Sequence, residues 1–311
     1  MLDHHPGLAV ANDTHFIPHA LAGFPQGVDP PLTIELVSRV RSYRRFPRLG
    51  LSDEDVDRAA AGARTFSDFV AGLYSRFGEL RGKRLAGEKT PDYVRFLPGL
   101  QALFPRARAL HIIRDGRDVC LSALEWATET KGPGKLELWR EEPVAVCALW
   151  WRRNVSRGRT DGQDLGPDRY REVRYEILVS NPFDELEKIA AFLDLPFAPE
   201  MAAYHVGRTR DEPGLSAKSA WLPPTPGLRD WRSAMSDRNV ELFEALAGDL
   251  LAELGYGRAT ASISPSIARL AQWCRERWRA EMERRPLPLH TRAVPGSIPG
   301  TPTKTGRRLA T

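Results

Sequence analysis

The sequence predicts an α/β fold built on a parallel sheet, and three observations carry this. Short apolar runs alternate with longer stretches of helical periodicity between residues 84 and 195, the pattern of strand–helix–strand units. Polar clusters at Asp13, Lys89, Arg114 and Tyr175 fall at the carboxyl ends of the expected strands, where open α/β sheets bind ligands. The chain has 311 residues, 42% of them hydrophobic, enough to bury a full core without disulfides.

Taken in order, Gly7–Val10 reads as a short strand that runs into polar Asn12-Asp13-Thr14-His15. Residues 31–82 read as helical. Leu32, Leu36, Val37 and Val40 share one face, Ser52 caps a second helix with acids in its first turn, and Phe66, Phe69, Val70, Leu73, Tyr74 and Phe77 mark a third. Arg84–Pro91 reads as a strand entering a loop, followed by a helix from Tyr93 to Phe104 that Pro105 ends. Ala109–Ile113 reads as a buried strand, and Arg114-Asp115-Gly116-Arg117-Asp118 as the turn that opens the next helix. A long helix covers about 142–159, a charged strand 170–175, and a helix runs from Asn181-Pro182 to Pro196. Residues 206–230, rich in Gly and Pro, read as a long loop, the kind that is usually functional or mobile. A helix follows at about 236–254 and a basic one at 265–285; residues 286–311 have a disordered composition. The expected organisation is one α/β domain over residues 1–256 and a basic tail over 257–311.

Composition narrows the function classes. The three cysteines form no C-x-x-C pair, which excludes a disulfide framework and a cysteine zinc site. No run approaches the ~18 apolar residues of a membrane-spanning helix. The first residues, Met1-Leu2-Asp3-His4-His5-Pro6, lack the basic and apolar regions of a signal peptide. The expected location is therefore cytoplasmic. The net charge is +5, yet residues 257–311 hold eleven Lys or Arg against three Glu, which leaves −3 for the first 256. The basic character belongs to the tail and does not argue for a nucleic-acid partner. The tail suits either an acidic acceptor, an anionic surface or plain solvation.

The sharpest local signal is Ile112-Ile113-Arg114-Asp115-Gly116-Arg117-Asp118 with Ser122. A strand delivers two arginines to a helix N-terminus, where backbone N–H groups and the helix dipole favour an anion. Arginine matches phosphate in a bidentate way. The alternative is that Asp115 and Asp118 cap the helix and pair with the arginines. This unit, with its serine eight residues after Arg114, resembles the 3′-phosphate-binding segment of the sulfotransferases that use 3′-phosphoadenosine-5′-phosphosulfate. Glu88-Lys89-Thr90-Pro91, Leu103-Phe104-Pro105, Val173–Pro182 and Ala191–Phe197 resemble further blocks of that family in the right order. Leu2–Pro6 and Asp13–Pro18 are similar to the protein-tyrosine sulfotransferases and their bacterial relatives.

The resemblance implies a three-layer α/β/α fold like that of the P-loop kinases. It also implies roles. Arg114 and Ser122, with Arg117 as a further candidate, would hold the 3′-phosphate, and Tyr175 would lie against the adenine. Lys89 would neutralise charge at the sulfuryl group. Asp13, where the relatives carry a glutamate, would be the general base, with His15 as a competing base. Arg229 and Arg232 fall in a segment, Thr225–Arg232, that resembles one closing over the cofactor. Each residue also has a plain structural reading: a core tyrosine at 175, a Lys89–Glu88 ion pair, an Asx-type cap at Asp13, solvated charges at Arg229 and Arg232. Pro18 spoils a metal site on His15 and His19, so no metal is expected.

One family block is not found. The Gly-rich loop that grips the 5′-phosphosulfate, and the strand before it, have no counterpart in the sequence. The expectation is a chain whose start lies at an internal methionine of a longer enzyme, with a central strand missing from the sheet. The expected activity is sulfuryl transfer from 3′-phosphoadenosine-5′-phosphosulfate to a hydroxyl acceptor by in-line displacement. The acceptor class, whether small molecule, glycan, lipid or protein tyrosine, stays open. The alternative is a catalytically inactive relative that serves as a nucleotide-binding or interaction module.

Overall fold

A computed structural model describes residues 1–129, 131–206 and 222–284. Its four strands are β1 (Leu8–Asn12), β2 (Leu85–Lys89), β3 (Ala109–Ile113) and β4 (Tyr170–Arg174). All pairing between them is parallel. β1 pairs with β2 in the register Leu8↔Leu85 to Asn12↔Lys89, and β3 with β4 in the register Ala109↔Tyr170 to Ile113↔Arg174. The expected single sheet is therefore divided, among the described residues, into two parallel pairs. The division shows in the burial. No residue of β2 is buried, and Leu85 and Ile112 keep 41% and 53% of their surface. Ala109–Ile113, read from its apolar run as a buried strand, buries only Ile113. An apolar run reports a strand that could be covered, whereas coverage depends on a neighbour on each edge.

Helices surround both pairs. α1 (Phe16–Ala20) follows β1; α2 (Ile34–Arg41), α3 (Asp53–Ala61) and α4 (Phe66–Glu79) come next. Capping boxes open α3 and α4, with Ser52 against Asp55 and Thr65 against Asp68. Phe66, Phe69, Val70, Leu73 and Phe77 make the buried face of α4, and they pack with Phe16, Leu36, Val40 and Leu49 in one core. The helix expected over 93–104 is two pieces, a 3₁₀ turn at Pro91–Arg95 and α5 at Leu97–Leu103. Pro98 has no N–H for the carbonyl of a preceding turn, so the helix restarts with proline in its first turn, where no donor is needed.

A second core lies between α6 (Gly116–Trp126), α7 (Pro143–Gln163) and the C-terminal helices. α8 (Tyr175–Ser180) and α9 (Pro182–Phe192) follow β4 and close a third core around Val173, Leu186 and Ile189. Of the expected loop at 206–230, residues 207–221 lie outside the described residues; α10 (Trp231–Ala234) ends the segment. α11 (Asp237–Glu253) and α12 (Pro265–Arg284) complete the chain.

The boundary expected at residue 256 separates no second unit. α12 sends Ile267, Ala271 and Cys274 into the same core as Phe243 and Leu246 of α11. Buried Glu281 accepts the backbone N–H groups of Glu137 and Leu138. Two arginines of α12 are neutralised in place, Arg277 pairing with Glu141 and Arg284 with Glu137 at 3.0 Å each. The composition-based tail from 285 onward lies outside the described residues. Among the described residues no helix is long and apolar enough to cross a membrane.

Candidate active site

The ends of β1 and β2 bring the first group of expected residues together. Asp13 follows β1 and adopts a left-handed backbone, φ 61°, as does His15 at φ 59°. Asp and His tolerate this region better than branched residues, yet two such positions in one tight turn store strain. The turn aims the Asp13 carboxylate at an imidazole and two guanidiniums. Oδ1 meets His15 Nε2 at 2.6 Å; Oδ2 accepts from Arg45 Nη1 at 2.6 Å and Arg48 Nη1 at 3.0 Å. Burial alone would raise the Asp13 pKa. The His15 hydrogen bond and the charges of His15, Arg45 and Lys89 outweigh it and hold the pKa below the ordinary value.

Arg45 and Arg48 were not expected from the sequence. Arg45 caps a 3₁₀ turn, Phe46–Leu49, and Arg48 lies within it; buried Phe46 and Leu49 pin the turn to the core. Side chains three apart eclipse in a 3₁₀ turn, so both guanidiniums reach the same carboxylate. The only local signal was the alternation of basic residues with Phe46 and Leu49.

Lys89 ends β2, level with Asn12 of β1. The ion pair with Glu88 read as its structural alternative does not form. Glu88 accepts instead from the Thr14 N–H at 2.9 Å and the Thr14 hydroxyl at 2.5 Å, and from the hydroxyls of Tyr74 and Thr90. Four neutral donors satisfy that carboxylate and fix the loop 13–15 to β2. The Lys89 ammonium carries no hydrogen bond or ion pair among the described residues. Partial burial lowers its pKa, and Arg48 and Arg45 lower it further against Asp13 and Glu88. A cation held at such a point attracts an incoming anion.

The ends of β3 and β4 form the second group. Asp115 caps α6 by accepting the Arg117 N–H at 2.9 Å, and its own N–H donates to Glu176 at 2.9 Å. The turn packs tightly: a Cβ at Gly116 would stand 2.5 Å from the Trp151 ring and 2.7 Å from Phe243. Trp151 Nε1 donates to the Arg114 carbonyl at 3.2 Å. Arg114 is thus held from its backbone outward. Its Nη2 donates to Asp118 at 3.0 Å, and its guanidinium lies 4.5 Å from the centre of the Tyr175 ring. Its Nε is buried without a partner. Burial raises the Asp118 pKa even though Arg114 opposes it.

One face of α6 organises the rest. Asp118, Ser122 and Glu125 are spaced by four and three residues, so they share that face. Asp118 holds Arg114 at one end. Glu125 holds Arg229 at the other, with Nη1 at 2.5 Å and Nη2 at 3.2 Å. Asp118 and Tyr175 are near enough to act on the Arg229 charge as well, after Glu125. Half-buried Ser122 lies between Asp118 and Glu125 along that face. The structure therefore groups Arg114, Tyr175 and Arg229 around one face of α6, the face that also carries Ser122, as a candidate anion cradle.

It excludes the other two arginines. Arg117 was expected beside the phosphate. It is fully buried, with Nε and Nη2 on Asp115 at 3.0 and 2.7 Å, Nη1 on Glu244 at 2.7 Å, and Nη2 also on the Gly257 carbonyl at 2.9 Å. Its guanidinium stacks 3.7 Å from the Trp231 ring. Four of its five N–H donors are used and the side chain is fully buried, so it is closed to a ligand. Arg232 is largely exposed and lies 4.5 Å from that Trp231 ring and 3.8 Å from Asp230. Trp231 separates it from α6, because the Trp231 N–H donates to Asp118 while Arg232 points outward.

Comparison with known proteins follows the same order. A family model described as "Sulfotransferase family" matches residues 1–199. The chain is 25% identical over 271 residues to Protein-tyrosine sulfotransferase 1 of Danio rerio, which spans 87% of this chain and 66% of that protein. It is 25% identical over 244 residues to the Protein-tyrosine sulfotransferase of Drosophila melanogaster, 73% of this chain and 44% of that one. The chain spans under two thirds of the length of each. Among solved structures, the sulfotransferase domain from the Synechococcus PCC 7002 olefin synthase aligns with a TM-score of 0.53 at 21% identity, covering 88% of this chain and 86% of that chain. At that identity the likeness is one of fold, a P-loop-like α/β fold with parallel strands. With the family model matched over well more than half of its residues, this chain belongs to the sulfotransferase family.

Proposed function

We propose that this chain transfers a sulfuryl group from 3′-phosphoadenosine-5′-phosphosulfate to a phenolic hydroxyl by in-line displacement. The observation that carries the reading is the α6 face, where carboxylates one turn away on either side of Ser122 fix Arg114 and Arg229. Two pre-oriented guanidiniums and a hydroxyl suit a phosphate dianion. Tyr175, stacked under Arg114, supplies a ring for the adenine. The donor supplies an activated sulfuryl group whose leaving group is a phosphate. The acceptor oxygen bonds to sulfur as the bond from sulfur to the leaving phosphate breaks. The Lys89 ammonium offsets the charge that grows on the leaving phosphate, and Asp13 takes the acceptor proton.

The phenolic acceptor follows from the state of Asp13. Arg45, Arg48 and His15 make it a weak base. A weak base suits a proton that leaves readily, and a phenol, with a pKa near ~10, releases its proton far more easily than an alkyl hydroxyl does. The same cations stabilise negative charge on the phenol oxygen.

The test is transfer of ³⁵S from labelled donor to N-acetyltyrosinamide and, in parallel, to N-acetylserinamide. Label on the tyrosine compound alone is expected, and its loss in Arg114→Ala. Binding of 3′-phosphoadenosine-5′-phosphate without transfer to either acceptor would sink the enzymatic reading. Equal transfer to both would remove the phenolic preference.

A further inference from the structure

A cleft of about 450 Å³ lies between α7, α11, α12 and the segment after α11, and it shares no residue with the cradle on α6. Leu149 and Arg152 come from α7, residues 244–249 from α11, and Arg258 and Arg275 from the two later segments. Three guanidiniums line it, and they differ in how they are matched. Arg152 is neutralised by Asp249, with Nη2 to Oδ2 at 2.7 Å. Arg275 donates to the Ala245 carbonyl and has no carboxylate partner among the described residues. Arg258 has neither hydrogen bond nor ion pair among the described residues.

The remaining lining explains why no internal anion answers them. Glu244 borders the cleft, yet its carboxylate is spent on Arg117, on the N–H groups of Ala259 and Thr260, and on the Thr260 hydroxyl. Arg258 rests on Gly248, where a Cβ would stand 2.5 Å from Nη2. Glycine in a helix interior is unfavourable by roughly 1 kcal/mol relative to alanine; here it lets a guanidinium lie against the helix. Half-buried Ala245, with the edge of mostly buried Leu149, gives a small apolar patch beside the charges. Small-molecule sites combine apolar walls with a few convergent polar groups in this way, at ~300–1,000 Å³.

We infer that this cleft binds an organic monoester oxyanion, its phosphate or sulfate held by Arg258 and Arg275 and its apolar body over Ala245 and the edge of Leu149. A sulfate ester of the kind this family makes and a cellular phosphomonoester share that chemistry. The experiment separates them. Calorimetric titration of the full chain uses 2-naphthyl sulfate, 2-naphthyl phosphate and 2-naphthol. Saturable binding of the esters that depends on Arg258 and Arg275 is expected, whereas any binding of the naphthol, a phenol that suits the acceptor site, is the same in Arg258→Ala as in the parent. Arg258→Ala and Arg275→Ala each weaken binding by at least about tenfold, the worth of one hydrogen bond to a charged group. Gly248→Leu, which fills the floor, does the same, and Arg114→Ala leaves binding unchanged. Tighter binding of the sulfate identifies a product-type occupant, and tighter binding of the phosphate a phosphomonoester. The inference fails if neither ester saturates, if Arg258→Ala and Arg275→Ala bind as the parent does, or if Arg114→Ala abolishes binding, which would place the probe in the nucleotide cradle.

Discussion

The backbone N–H of Asp13 donates to the carbonyl of Lys89 at 2.7 Å. The base and the cation assigned to the two ends of the displacement are therefore fixed by one rung of the β1–β2 ladder. Neither depends on a flexible loop for its distance from the other. Rigid placement of this kind is what converts a collision into a reaction.

Lys89 trades stability for function. Its pKa in the fold lies below the 10.5 of the free side chain, chiefly through burial. The unfolded chain holds the proton more tightly, so stability rises as pH climbs through the folded pKa toward 10.5 and is at its lower plateau below it. Lys89→Met should raise the melting temperature at pH 7 and reduce transfer by about 10²–10³. Thermal melts beside the ³⁵S assay test both halves, and an unchanged or lowered melting temperature would show that the ammonium is not strained.

Asp13 has the opposite sign. Its folded pKa lies below the ordinary 3.8, so its contribution is complete above about 3.8 and lost as pH falls through the folded pKa. The stability difference between the parent and Asp13→Asn should be constant from neutral pH down to about 5 and vanish in stronger acid. Transfer by Asp13→Asn should fall about 10²–10⁴. Urea titrations across pH measure the first effect, and a difference that persists in strong acid would contradict it.

Three arginines separate by what holds them. Arg114→Ala should weaken 3′-phosphoadenosine-5′-phosphate by about 2 kcal/mol or more, roughly 30-fold, the worth of a charge-assisted contact. Arg229→Ala should act in the same direction. Arg232→Ala, whose side chain points outward over Trp231, should change the dissociation constant by less than about threefold. Calorimetry on the three variants decides; a large effect at Arg232 would relocate the cradle.

Arg117 belongs to stability. Breaking the pair it forms with buried Glu244 at 2.7 Å leaves an uncompensated buried charge, which costs about 3–5 kcal/mol. Glu244→Ala and Arg117→Ala should each lower the denaturation midpoint strongly. Arg117→Lys should not rescue, because a lysine cannot reach Asp115, Glu244 and Gly257 together. Full stability in Arg117→Lys would refute the network.

Gly116→Ala tests the packing of the same turn. The new Cβ would collide with the Trp151 and Phe243 rings, which cannot move without disturbing the core of α7 and α11. A loss of about 1–3 kcal/mol is expected, with weaker nucleotide binding because Trp151 Nε1 holds the Arg114 carbonyl. Denaturant titration with matched calorimetry would show both.

Much of the fold was legible because the signals are local. The apolar face of α4, the Ser52 cap and the Arg114–Asp118 turn before α6 need only neighbours within a few residues. The helix expected over 93–104 failed locally too, at Pro98. The helix expected at 265–285 was read from its basic residues; that its apolar stripe Ile267, Ala271 and Cys274 packs on the core of α11 is seen only in the fold.

The sequence by itself determined the order and type of most elements, the parallel α/β class, and a list of candidates: Asp13, His15, Lys89, Arg114, Arg117, Ser122, Tyr175, Arg229 and Arg232. Tertiary structure alone decided which of those charges are free to act. Arg114 and Arg117 are three residues apart in one turn, yet Arg117 is claimed by Glu244, 127 residues away, and Arg114 is not. Asp13 is tuned by Arg45 and Arg48, which no motif marked. Periodicity and capping are set within a turn of the chain. A buried ion pair is set by whichever carboxylate the fold brings within 3 Å or so, and that distance has no counterpart in the sequence.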